Sequence, residues 1–100
     1  MELLKAAETL AALGHESRLA IFRMLVETGP EGAVVGTIAD QVAMAPATLS
    51  FHLAHLTRVG LISSQRESRF IRYSANYATM DALIAFLRSE ERRVGKECLP

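Results

Sequence analysis

Apolar residues recur at helical spacing along most of the chain, and the places where that spacing fails divide it into elements. From about Glu2 to Leu13 the apolar positions Leu3, Leu4, Ala7, Leu10 and Ala11 fall on one side, with Gly14 as a C-terminal cap. That stripe holds more leucine than a single neighbouring element requires. The stretch Ser17 to Glu27, containing RLAIFRMLV, is apolar nearly all round, which places it at the centre of a core. Two glycines and a proline in ETGPEGA then break the chain. A short helix is predicted from about Val35 to Val42, followed by AMAP and a fourth helix with Pro46 in its first turn, where a missing N–H costs nothing. Beyond Gly60, LISSQRESRFIRYSA is rich in β-formers and alternates imperfectly around Glu67 and Ser68, the pattern of a hairpin. A last helix, about Tyr77 to Ser89, sets Met80, Leu83, Ile84 and Leu87 on one face. The order predicts a mainly α fold with a small β-hairpin, a helix-turn-helix followed by a β wing.

The fourth helix, within PATLSFHLAHLTRVGLI, has two different sides. Leu49, Leu53 and Leu56 lie at i, i+4 and i+7, on a stripe that can face a core. Ala47, Thr48, Phe51, Ala54, His55 and Arg58 lie opposite, and His52 lies on the flank of the stripe. A solvated helix face is normally filled with Glu and Lys. This one carries no acid and combines small, hydrogen-bonding, aromatic and basic groups, as a surface that touches another molecule would.

One hundred residues, half of them apolar, suffice for one small domain with a modest core, and no repeat or linker divides the chain. The domain is expected over residues 1–90, with 91–100 a polar tail. Charge breaks the apolar runs every few residues, which excludes a membrane-spanning helix, and MELLKAAE lacks the pattern of a secretory signal, so the chain is expected in the cytoplasm. The formal net charge is zero, but the charges are segregated. Residues 1–45 carry three bases against six acids; residues 46–75 carry Arg58, Arg66, Arg69 and Arg72 against Glu67 alone. A basic middle third is what a localised anion-binding face produces.

ALGHESRLAIFRMLVETGPEG, ATLSFHLAHLTRVGLI and ESRFIRYSAN resemble the ArsR/SmtB family of winged-helix repressors over about residues 1–90. The most specific part is the LSxHLxxLxxxGLI run continued into an arginine-bearing hairpin. The resemblance implies a homodimeric repressor with double-stranded operator DNA as its partner. Ala47, Thr48, Ser50, Phe51 and His52 match the DNA-contacting part of the family's recognition helix, Phe51 being able to pack on a thymine methyl. His55 and Arg58, further along, are expected to meet phosphate. Arg66 and Arg69 bracket the hairpin tip and are expected to reach phosphates or the minor groove. The surplus apolar stripe of Leu3, Leu10, Leu83 and Leu87 is expected to form a dimer interface between first and last helices. The competing readings are that Phe51 and His52 pack against the wing, that Ser50 bonds a carbonyl one turn back, and that the hairpin is an ordinary solvated strand pair.

The sequence departs from the family at Ser68, where glycine is usual; a positive φ there would cost roughly 1 kcal/mol. It also lacks the family's metal ligands. The cysteine pair of the third helix aligns with Val34 and Gly36, Asp81 of the last helix has no histidine after it, and the adjacent cysteines beyond that helix align near Glu91 and Arg92. Cys98 stands alone in ERRVGKECLP, a tail unlike the family and expected to be foreign or disordered; one cysteine makes neither an intramolecular disulfide nor a thiolate cage. His52 and His55 at i, i+3 have no accompanying carboxylate. No metal, cofactor or effector is assigned, and three scattered histidines assemble no catalytic arrangement, His15 being expected as a structural residue at the start of the second helix. A winged-helix module used for protein contact is the alternative function; the acid-free helix face weighs against it.

Overall fold

The computed structural model describes residues 1–88, which form helices α1 (Leu3–Leu13), α2 (Glu16–Thr28), α3 (Val35–Val42), α4 (Pro46–Arg58) and α5 (Tyr77–Arg88), and strands β1 (Ala33–Val34), β2 (Ile62–Glu67) and β3 (Phe70–Ala75). The expected tail at 91–100, with Cys98, lies outside the described residues. The fold is the predicted winged helix-turn-helix, with element limits displaced by a residue or so. β1 was not expected. It pairs antiparallel with β3, Ala33 opposite Tyr73 and Val34 opposite Arg72, and gives a three-stranded sheet in the order β1-β3-β2. Gly32 makes this possible: its φ is +70°, and a Cβ there would collide with the Tyr73 carbonyl oxygen.

The core gathers Ile21 and Leu25 of α2, Ile38 of α3, the predicted Leu49, Leu53 and Leu56 stripe of α4, and Leu61 just beyond it, all buried. Ile62 and Ala75 face each other at the base of the wing and root it in this core. α2 is central only through Ile21, Phe22 and Leu25; Leu19 of its apolar run stays exposed. Helical spacing alone does not separate a helix buried all round from one buried on a single broad face.

The inner face of α1 is not its leucine stripe. Ala6, Thr9 and Ala12 turn inward, allowing close approach to the body, and the whole leucine-bearing stripe is left outside, Leu3 at 73% exposure. The Thr9 hydroxyl is satisfied by the Lys5 carbonyl at 2.8 Å. On α5, Ile84 and Leu87 are likewise exposed, but Leu83, expected at a dimer interface, is 5% exposed and packed within the chain itself. That expectation is corrected: on the face shared by Leu83, Ile84 and Leu87, the first points into the body and only the others remain open.

Candidate nucleic-acid interface

The turn between α3 and α4 is set by Ala43, which takes the left-handed conformation at φ +55° while the N–H groups of Ala43 and Met44 both bond the Ala39 carbonyl. α4 then starts at Pro46, with Ala45 before it and no side chain capping its first turn. Its leading N–H groups and the positive end of its dipole are therefore available to an anion. Ala47, Thr48, Ser50, Phe51, Ala54 and Arg58 are exposed around this end and along the outer face, Phe51 at 67%. The reading that Phe51 packs against the wing is thereby excluded. At the other end Gly60, φ +86°, closes the helix: its N–H bonds the Thr57 carbonyl and that of Leu61 the Leu56 carbonyl, sending the chain into β2.

His52 departs from the expected DNA-facing set. It is 6% exposed and turned toward the start of α2, away from the outer face. Its ring centroid lies 4.8 Å from that of His15 and 5.6 Å, edge-on, from that of Phe51, while Arg18 Nη1 approaches its Nδ1 at 3.5 Å. Burial pushes its pKa below the ordinary imidazole value, and the positive charges of His15, Arg18 and His55 act in the same direction. Its position on the flank of the leucine stripe explains the correction: a small rotation of the helix decides whether such a residue faces solvent or core. His15 is structural as expected, its Nδ1 accepting from the Ser17 N–H at 3.2 Å to cap α2. His55 is partly exposed, its pKa lowered first by burial and then by Arg18 and Arg58.

In the wing, Arg66 pairs with Ile71 and Glu67 with Phe70, leaving Ser68 and Arg69 as a two-residue turn. Ser68 has φ +57° and no other wing residue a positive one, the pattern of a type II′ hairpin in which glycine is preferred at the first central position. The strain foreseen for Ser68 is present. Glu67 and Arg72 lie diagonally on one face, and Arg72 Nε donates to Glu67 Oε1 at 3.0 Å. Arg72 also donates to the Gly32 carbonyl oxygen at 3.4 Å, tying the wing to β1. Its charge is thus engaged in the fold, whereas Arg66 and Arg69 project exposed at the tip. Among the described residues no three His, Cys, Asp or Glu side chains converge on a metal position.

A family profile described as a helix-turn-helix domain matches residues 13–65, from the end of α1 into β2. The HTH-type transcriptional regulator YgaV of Escherichia coli is 35% identical over 85 residues, covering 85% of this chain and 84% of its own. Among solved structures, an ArsR-like transcriptional regulator from Rhodococcus superposes with a TM-score of 0.76 at 26% identity, over 88% of this chain and 80% of that one. The chain belongs to the ArsR-type helix-turn-helix regulators. HlyU from Vibrio cholerae, named a transcriptional activator, is 31% identical over 83% of this chain and 74% of its own; its structure superposes with a TM-score of 0.71 over 86% and 90% of the two chains. This ArsR-type regulator is accordingly a DNA-binding transcriptional regulator, with α3 and α4 as its helix-turn-helix and β2–β3 as its wing.

Sequence reasoning missed two residues that brace this surface. Lys5 Nζ donates to the Val59 carbonyl oxygen at 2.7 Å, and Arg18 Nε to the Ala12 carbonyl oxygen at 2.8 Å. The first link joins residues 54 apart and the second spans the turn between α1 and α2; neither residue stands out from its neighbours in the sequence.

Proposed function

We propose that this regulator binds a palindromic operator in double-stranded DNA as a homodimer, each α4 entering a major groove about one helical turn from the other, and represses the gene it covers. The observation that carries this reading is the outer face of α4, which has no acid, a free N-terminal turn and exposed Thr48, Ser50, Phe51 and Arg58. Thr48 and Ser50 read base edges, with Ala47 allowing close approach and Phe51 packing on a thymine methyl. His55, Arg58, Arg66 and Arg69 neutralise phosphates. His52 contributes from behind the helix.

The uncovered leucines Leu3 and Leu10 of α1, with Ile84 and Leu87 of α5, support dimerisation, since a stripe of this kind on a small protein is stable in water when a second copy covers it. Leu10→Glu and Leu87→Glu should give monomers by light scattering; Leu83→Glu tests the fold. A non-catalytic regulator working in the cytoplasm fits the relatives, which are named transcriptional regulators; among the described residues no helix is long and apolar enough to cross a membrane.

Footprinting on the DNA upstream of its own gene over a salt series should reveal a two-fold symmetric protected region. No protection at low salt, or protection by a monomer, refutes the reading. Because HlyU is named an activator, a reporter with the operator placed over or upstream of the promoter separates repression from activation.

A further inference from the structure

α1 and α4 are not packed face to face along their length. A cleft of about 350 Å³, lined by Glu8, Ala11, His55, Arg58 and Val59, opens between them. Two polar ties span the helices beside this gap. At the C-terminal end of α4, the Lys5 ammonium donates to the Val59 carbonyl oxygen at 2.7 Å, where a cation also complements the negative end of the helix dipole. Further along α1, one guanidinium is shared: Arg18 Nε donates to the Ala12 carbonyl oxygen at 2.8 Å, and its Nη1 makes a longer approach, 3.5 Å, to His52 Nδ1 in the middle of α4. The His15 ring also lies tilted against that of His52, 4.8 Å between centroids, so two residues of the α2 start approach the same imidazole.

We infer that Lys5 and Arg18 are positioning residues for DNA recognition: they fix the angle and distance between α1 and α4, and through them the half-site spacing that the dimer accepts. The inference rests on the dimeric DNA-binding reading above. In such a dimer the separation of the two recognition helices has two parts, the contact between protomers through α1 and α5, and the path from α1 to α4 within each protomer. Apolar packing across that path would tolerate sliding, because it is non-directional. A hydrogen bond from a charged donor to a specific carbonyl does not: it weakens steeply as distance and angle change. Lys5, with the shorter contact made straight to α4, carries the larger share.

The test uses the full chain and a duplex selected by the wild-type protein from a random pool, together with the same duplex carrying one inserted base pair between half-sites and a duplex with a single half-site. Insertion of one base pair shifts a half-site by about 3.4 Å along the axis and rotates it by roughly one tenth of a turn. The wild type should lose at least about tenfold in affinity on insertion. Lys5→Met should reduce that loss to about threefold or less, leave affinity for the single half-site unchanged, and be rescued by Lys5→Arg, which restores a charged donor. A variant that is merely less stable would lose affinity on all three duplexes alike. If Lys5→Met melts below the assay temperature, Arg18→Lys carries the same test, since a single ammonium nitrogen replaces the two separate guanidinium nitrogens that reach Ala12 and His52. Retention of the full spacing penalty in the folded variant overturns the inference and leaves the dimeric reading standing; a wild type indifferent to spacing overturns both.

Discussion

The recognition helix and the wing both expose groups suited to DNA, but they are held by different forces. Along α4 the exposed Thr48, Ser50 and Phe51 alternate with buried Leu49, His52 and Leu53, so every turn is pinned by side-chain packing. In the wing only Ile62 and Ala75 at the base are fully buried; β1 pairs with β3 at Tyr73 and Arg72 and Tyr73 packs partly on the core, while β2 and the tip rely on the β2–β3 ladder and on the Arg72–Glu67 pair. A packed helix fixes the direction of its outer side chains relative to one another, as base-edge hydrogen bonds require. A hairpin that can bend suits phosphate, which is uniform along the duplex and asks for charge more than for position.

The sharpest way to break this contrast is to loosen the packed partner. Leu53→Ala should cost about 2–5 kcal/mol by urea denaturation, whereas Arg66→Ala should stay within about 0.5 kcal/mol. Equal losses would show that the wing is as much a part of the core as α4. On DNA the ranking should invert in kind. Thr48→Ala and Ser50→Ala should narrow the gap between selected and scrambled duplex by up to roughly 1–3 kcal/mol where a bidentate contact is lost, and less for a single bond. Arg66→Ala and Arg69→Ala should weaken both duplexes alike and flatten the log K against log salt slope by about 0.9 per phosphate contact, twice that in a two-fold dimer. Fluorescence anisotropy at several salt concentrations reads both quantities, and an unchanged slope in the arginine variants would remove the wing from the phosphate contacts.

Acid should reach the recognition helix and spare the wing, whose strands contain no histidine. His52 is held below its ordinary value of 6.5 by burial and by His15, Arg18 and His55, so the native state disfavours its protonated form. Its contribution to stability is complete above that ordinary value and is lost as pH falls through the lowered native one, because the unfolded chain then binds the additional proton. Urea midpoints should fall over that window in the wild type and fall less in His52→Gln, whose amide oxygen can still accept from Arg18. A His52→Gln profile identical to the wild type would assign the acid sensitivity elsewhere. The smallest effect is expected at the turn: Ser68→Gly removes about 1 kcal/mol of left-handed strain but frees the unfolded chain, for a net gain below about 1 kcal/mol in thermal melts. A loss would mean that the serine side chain supports the tip.

Local spacing was enough to read α3, α4 and the hairpin, since a helix or strand announces itself through which neighbours share a face, and that is a property of adjacent residues; the strain at Ser68 was an expectation from the family resemblance, which has glycine there. The outer face of α4 was legible for the same reason: the leucine stripe opposite defines it. β1 was not, because two residues have no period and its pairing depends on Gly32 meeting Tyr73.

What periodicity could not supply is the partner of each face. The leucines of α1 form a stripe in the sequence whether they meet this chain or another, and only the assembled fold turns Ala6, Thr9 and Ala12 inward and leaves the leucines open. His52 sits at the border of its stripe and is met by residues of the α2 start, His15 and Arg18, the latter 34 positions away; the tie between Lys5 and Val59 joins residues 54 apart. Sequence therefore determined the elements and their two-sidedness, which arise from short-range geometry. Tertiary structure decided which side is covered and by what, because burial is a relation between distant parts of the chain.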